Sequence, residues 1–257
     1  MLDEPFARGT SFLHRADPRA KLAALAAFSL AVAVAPDLRS PALALLLAAG
    51  LAAWAGLPGR DLRRRLAVVN AFIAFLWVLV PFTTPGEAAW SLGPVTATAQ
   101  GLRLCAGVTL KANAITLAFL ALAATSDAAT LGQAMERLGL PAKLAFLLLF
   151  TYRFIHVLAG EQARLATAAR LRGFRPRTDV HTYRTLASLL AMVLVGAVRR
   201  AEMVRRAMFL RAFDGRLATL RVFTLRPADT AFLLAMLAAT LVLGALEIAH
   251  VLAPVSG

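Results

Sequence analysis

The 257-residue chain is 60% hydrophobic and 16% charged, with a mean hydropathy of +0.70, which excludes an ordinary soluble domain and fits an all-α, polytopic helical membrane protein. Its net charge is +14, from 28 basic against 14 acidic residues, and only three of the basic ones (Lys21, Lys111, Lys143) are lysine. One cysteine, Cys105, excludes an internal disulfide and a thiolate metal cluster.

The start, Met1-Leu2-Asp3-Glu4-Pro5, is acidic and has no apolar core behind it, so the first span is expected to act as its own insertion signal. Five segments are apolar enough to cross a bilayer, which takes about 20 residues: Lys21–Ala35, Pro41–Leu57, Leu66–Phe82, Gly101–Thr125 and Pro227–Val251. The first two are short, so tilted or re-entrant placement stays open. Pro36, Pro41, Pro58 and Pro81 punctuate their ends.

Positive charge sets the orientation, because loops rich in Lys and Arg stay cytoplasmic. Arg8, Arg15, Arg19 and Lys21 place the N-terminal stretch inside, and Arg60, Arg63, Arg64 and Arg65 do the same for the second connection. The stretch from Phe82 to Gln100 has neither Lys nor Arg and reads as external. Within the fourth span Lys111 falls near mid-membrane. An intramembrane cation is either a functional group or a structural one satisfied by a neighbouring helix. Arg103, near the outer end, needs only to snorkel.

The second half is different in kind. From Arg153 to Arg226 there are fifteen arginines, four carboxylates and no lysine. Two apolar stretches lie inside it, Ala142–Ala159 and Thr185–Val198. If both crossed the membrane, the six arginines between Glu161 and Arg184 would be exported, against the charge rule. They are therefore expected to be long amphipathic helices at the cytoplasmic face. The turn Gly173-Phe174-Arg175-Pro176-Arg177 separates them, and Asp214-Gly215 is expected to end the second. The organisation expected is residues 1–125 as about four spans, 126–226 as a cytoplasmic module and 227–257 as a last span.

Catalytic signatures are missing. There is no phosphate-binding Gly-Lys loop, and His14, His156, His181 and His250 lack ligand spacing. No cofactor and no metal site are expected.

Three stretches resemble one family. Leu13-His14-Arg15-Ala16-Asp17-Pro18-Arg19-Ala20-Lys21-Leu22 looks like the entry signature of the T components of energy-coupling-factor transporters. Thr125-Ser126-Asp127, the helix Met135-Glu136-Arg137-Leu138-Gly139-Leu140-Pro141 and then Thr151-Tyr152-Arg153-Phe154 follow that family's order; the Tyr-Arg form resembles the cobalt-type member, CbiQ. His156 stands where vitamin-type members more often have proline. The third stretch is a pair, Leu171-Arg172-Gly173-Phe174 and Leu210-Arg211-Ala212-Phe213, similar to the family's two x-Arg-Gly motifs, with Ala212 replacing the second glycine.

The resemblance implies a coupling subunit of the bacterial inner membrane, with no chemistry of its own. Leu171, Arg172, Gly173, Leu210, Arg211 and Ala212 would dock on two ABC-type ATPase subunits, whose closure would be passed to a separate substrate-binding membrane subunit carrying cobalt. A planar, permanently charged guanidinium suits bidentate pairing with carboxylates at such an interface. The structural alternative is that each arginine bonds the last carbonyls of its own helix. Two other functions stay open: the same role for nickel or a vitamin, and a lipid-modifying enzyme using Glu161, Asp179, Glu202 or Asp214. Lipid and acidic protein suit the basic half better than nucleic acid, because aromatic stacking platforms are sparse there.

Overall fold

The computed structural model describes residue 9 and residues 11–92, 95–213 and 225–252. Within them run α1 (Phe12–Arg15), α2 (Pro18–Val34), α3 (Arg39–Ala55), α4 (Gly59–Thr83), β1 (Ala88–Leu92), β2 (Val95–Thr98), α5 (Ala99–Leu122), α6 (Ala128–Arg137), α7 (Ala142–Leu171), α8 (Val180–Leu210) and α9 (Pro227–Leu252). The architecture is that of a polytopic helical membrane protein. The described chain forms two units that meet covalently inside α6: residues 9–134 with 225–252, and residues 135–213.

Among the described residues four helices are long and apolar enough to cross a membrane: α4, α5, α7 and, over Pro227–Ala245, α9. α2 and α3 have 17 residues each, about 25 Å at 1.5 Å per residue, and fall short of the ~30 Å hydrocarbon layer. Two expectations need correcting. α4 begins at Gly59, so Arg60, Arg63, Arg64 and Arg65 lie on its first turns and not in a loop, and Pro81 sits inside its last turn. The stretch before α5, which has neither Lys nor Arg, holds an antiparallel hairpin, β1 against β2, where no strand was expected. On length and composition alone α7 qualifies as a span; α8 does not.

In the first unit α5 is central, packed on α2, α3 and α4, while α9 packs on α2 and α3. The core is lined by small residues: Ala24, Ala44, Ala48, Ala114, Ala118 and Ala121 are fully buried around Phe28, Leu13 and Leu122. Small side chains let helix backbones approach closely, which drives association where lipid removes the hydrophobic driving force. At Gly101 the backbones of α4 and α5 approach so closely that a Cβ would meet the Cα of Pro81 at 2.7 Å.

Hydrogen bonds join α4 to α5 at four-residue intervals along one face of α5. The Cys105 thiol reaches the Leu76 carbonyl at 3.6 Å. Trp77 donates to Thr109 Oγ1 at 3.0 Å. Asn70 and Asn113, the only asparagines in the sequence, exchange amide bonds of 2.9 and 3.0 Å. Lys111 also has a structural role: its ammonium donates to the Ala33 carbonyl at 3.0 Å, one of the last four carbonyls of α2, which have no acceptor role inside that helix.

The start of α2 collects a buried polar knot. Lys21, fully buried, donates to the Leu13 carbonyl at 2.8 Å, to Thr125 Oγ1 at 3.2 Å and to Ser126 Oγ. The entry signature and Thr125-Ser126 thus meet in space. One turn earlier Asp17 caps α2 by accepting from the Arg19 amide at 2.8 Å, and it pairs with the Arg19 guanidinium at 2.8 Å. The Asp17 amide donates to buried Asp229 of α9 at 3.3 Å, whose other oxygen accepts from the Arg226 amide at 3.1 Å. Two cations and two carboxylates share this site.

Burial pushes the Asp17 carboxyl up, but the hydrogen bonds and charge of Arg19, with the charge of Lys21, outweigh it and leave the group below the usual carboxylate range. A depressed carboxyl stabilises the fold above its ordinary range, and that contribution is lost as pH falls through the depressed value. Asp17→Asn should therefore lower stability in detergent at neutral pH by about 1–3 kcal/mol and flatten the acid limb of a stability–pH curve. An unchanged acid limb would contradict this.

Candidate functional site

The second unit is dominated by two long helices. α7 has 30 residues and α8 has 31, each about 45 Å long. In the turn between them, Asp179 caps α8 through the Thr182 amide at 2.8 Å, and the Arg177 amide donates to Thr182 Oγ1 at 3.0 Å. Hydrogen bonds from Thr182 hold the Asp179 carboxyl below its ordinary range. Where the helices touch, Glu161 of α7 pairs with Arg164 on its own helix and with Arg200 of α8 at 3.9 Å. Beside that contact an apolar groove of about 370 Å³ is lined by Ile155, Leu158, Leu165, Leu186, Leu190 and Val193, with Gln162.

The two helices end alike. α7 stops at Leu171 with Arg172 as the capping residue and Gly173 left-handed at φ 80°. The Gly173 amide bonds the Arg170 carbonyl at 3.0 Å and the Phe174 amide bonds that of Ala169 at 3.1 Å. α8 stops at Leu210 with Arg211 as cap and Ala212 left-handed at φ 54°. The Ala212 amide bonds Phe209 at 3.0 Å and the Phe213 amide bonds Met208 at 3.1 Å. Both are Schellman closures with matching partners. Ala212 is the one non-glycine residue with positive φ among the described residues, so the missing glycine has not changed the geometry. The expected stop at Asp214-Gly215 is corrected: α8 ends four residues before Asp214, and both residues lie outside the described ones.

These closures use backbone amides, not the arginine side chains, to bond the carbonyls of Ala169, Arg170, Met208 and Phe209. Among the described residues neither the Arg172 nor the Arg211 guanidinium makes a hydrogen bond or ion pair, and both are exposed. Leu171 and Leu210 beside them are 85% and 90% exposed. α6 ends with the same closure at Gly139, through Gly139 to Glu136 and Leu140 to Met135, yet carries Leu138 where the other two carry arginine. The backbone stop is general; the exposed Leu-Arg pair is what the two tips add.

The tips are far apart. Phe213 packs on Phe146, ring centroids 5.4 Å apart, near the start of α7. Arg172 closes the other end of the same helix, roughly 40 Å away at 1.5 Å per residue. Phe146, Phe150 and Phe154 continue the aromatic row at 5.1 and 4.7 Å. Sequence reading missed this row, although three phenylalanines at four-residue spacing, followed by a Phe after each arginine motif, were there to find it.

The proposed acids do not assemble into a catalytic group. Glu161 is paired with arginines, Asp179 is a helix cap, and Asp214 lies outside the described residues. Glu202 has no ion pair among the described residues. The described residues hold no cluster of three His, Cys, Asp or Glu side chains able to bind a metal.

Comparison with known proteins decides the family. The CbiQ family model, described as cobalt transport protein, matches residues 9–223. The chain belongs to the CbiQ family. The match includes both arginine tips. The energy-coupling factor transporter transmembrane protein EcfT of Heliobacterium modesticaldum is 32% identical over 213 residues, covering 79% of this chain and 80% of the relative. Its counterpart from Thermosediminibacter oceani is 28% identical over 217 residues, covering 80% and 82%. The cobalt transport protein CbiQ of Rhodobacter capsulatus is 32% identical over 160 residues, covering 61% and 64%. The chain is thus a multi-pass membrane subunit of a transporter and not itself an enzyme.

A left-handed alanine is strained by about 1–2 kcal/mol relative to glycine, part of which is returned by glycine's greater freedom in the unfolded chain. Ala212→Gly should therefore raise stability by about 0.5–1 kcal/mol, read as an upward shift of the melting temperature in detergent. A lower melting temperature would contradict the geometry at this tip.

Proposed function

We propose that this chain is the transmembrane T component of an ATP-driven, energy-coupling-factor uptake transporter of the bacterial inner membrane, with cobalt ions as cargo. In this reading α7 and α8 lie at the cytoplasmic face. Arg172 and Arg211 pair with acidic residues on two ABC-type ATPase subunits. Leu171 and Leu210 fill apolar hollows beside them, and Gly173 and Ala212 close the helices so that the pair stands clear. ATP-driven closure of the ATPases then moves the two helices as rods, and the bundle passes that movement to a substrate-binding membrane subunit.

The observation that carries the reading is the matched pair of tips: same closure, same exposed Leu-Arg, no partner among the described residues, and about 40 Å between them along α7. One ATPase domain would not need two such contacts so far apart, whereas a pair would. A packed helix transmits displacement as a unit. The arginines between residues 164 and 184 support a cytoplasmic α7, despite its span-like length.

Cobalt is supported by the family description and by the name of the Rhodobacter relative. The names of the EcfT relatives mention no cargo, which favours a second reading in which the same subunit serves nickel or a vitamin carrier. Uptake assays with the neighbouring subunits, offered each cargo in turn, separate the two.

Reversing both charges, Arg172→Glu with Arg211→Glu, should abolish co-purification of the ATPase subunits in mild detergent. Each single reversal should weaken recovery and make it more sensitive to salt, since partly exposed ion pairs are screened. Stoichiometric ATPase recovery with the double variant would contradict the proposal.

A further inference from the structure

We propose that the first turn of α2 is the joint through which displacement of the coupling helices enters the membrane bundle. The chain passes between the two units once within α6 and once between residues 213 and 225. Within the first unit, the start of α6 and the start of α9, the described elements that adjoin these passages, are both tied to the same helical turn. On one side, Thr125 and Ser126, directly before α6, hold the Lys21 ammonium. On the other, Arg226 and Asp229, at the start of α9, are bound through the Asp229 carboxylate to the Asp17 amide. The Lys21 contact to the Leu13 carbonyl, 2.8 Å, draws in the segment before α2 as well.

The chemistry suits a joint better than it suits a filler of the core. Burying an ammonium costs several kcal/mol of desolvation, and an apolar side chain of similar volume often holds helices together as well or better. A hydrogen-bonded charge, unlike an apolar contact, has steep distance and angle dependence, so neighbours cannot slide past it. Lys21 and Asp17 therefore act as positioning residues: they fix Thr125-Ser126 and Asp229 to one turn, so a pull that reaches α6 or the start of α9 moves α2 with it. This inference rests on the coupling reading above.

The test uses the full chain assembled with its ATPases and substrate-binding subunit in proteoliposomes, with cobalt ion as the transported probe. Lys21→Met, Asp229→Asn and Ser126→Ala are compared with wild type for subunit recovery, ATP hydrolysis and uptake. The proposal expects intact complexes and near-normal ATP hydrolysis while uptake falls roughly tenfold, within the range by which residues on a coupling route alter it. More ATP is then consumed per ion moved. Uptake that falls only in proportion to ATP hydrolysis or to lost complex, or does not fall, makes the knot purely structural and overturns the proposal. Should Lys21→Met fail to assemble, Ser126→Ala, which leaves the ammonium its bonds to Leu13 and Thr125, is judged by the same ratio. A wild-type complex that recovers no ATPase, or shows no ATP-driven uptake, strikes the coupling reading itself, and this inference falls with it.

Discussion

A guanidinium group cannot be left in hydrocarbon without a partner. Even the lenient insertion scale sets the cost of a central Arg at about 2.5–3.5 kcal/mol. With fifteen arginines between residues 153 and 226, that cost constrains where this stretch can lie. In the proposed reading it separates α7 from the other helices of span-like composition and leaves α7 and α8 at the cytoplasmic face, where acidic protein can reach them.

What makes those ends distinctive is not how the backbone stops. α6, α7 and α8 all close with the same pair of amide-to-carbonyl bonds, a common way to end a helix. Only α7 and α8 place arginine at the cap with a nearly fully exposed leucine before it. Among the described residues the Arg172 and Arg211 guanidinium groups have no intramolecular partner. Ala212 shows how strongly this geometry is held: it keeps a left-handed backbone that glycine would adopt with less strain.

Much of this was legible in the sequence. Hydropathy located five apolar helices, of which α4, α5 and α9 are long enough to cross a membrane, and α2, α3, α5 and α9 start and end within a few residues of the segments read from composition. The two motif arginines were found as a pair. What was not legible depends on contacts between distant residues. Lys21 reads as one more cytoplasmic cation, and nothing local says that it is buried against Thr125 and Ser126, about a hundred residues on. Lys111 reads as an intramembrane charge; that it caps α2 follows only once α2 is seen to end beside it. The Asn70–Asn113 pair was within reach, since the sequence has no other asparagine and both fall in spans. The end of α8 was placed too late because Asp-Gly is the stronger stop by composition, whereas an alanine gives no sign that it will turn left-handed.

The account stands on the basic helices facing the cytoplasm. The direct measurement is labelling of Arg177→Cys, in the turn between α7 and α8 and in a Cys105→Ser background, with a membrane-impermeant thiol reagent. The account predicts that intact cells protect this position and that inverted vesicles or permeabilised cells expose it. Labelling in intact cells would contradict it.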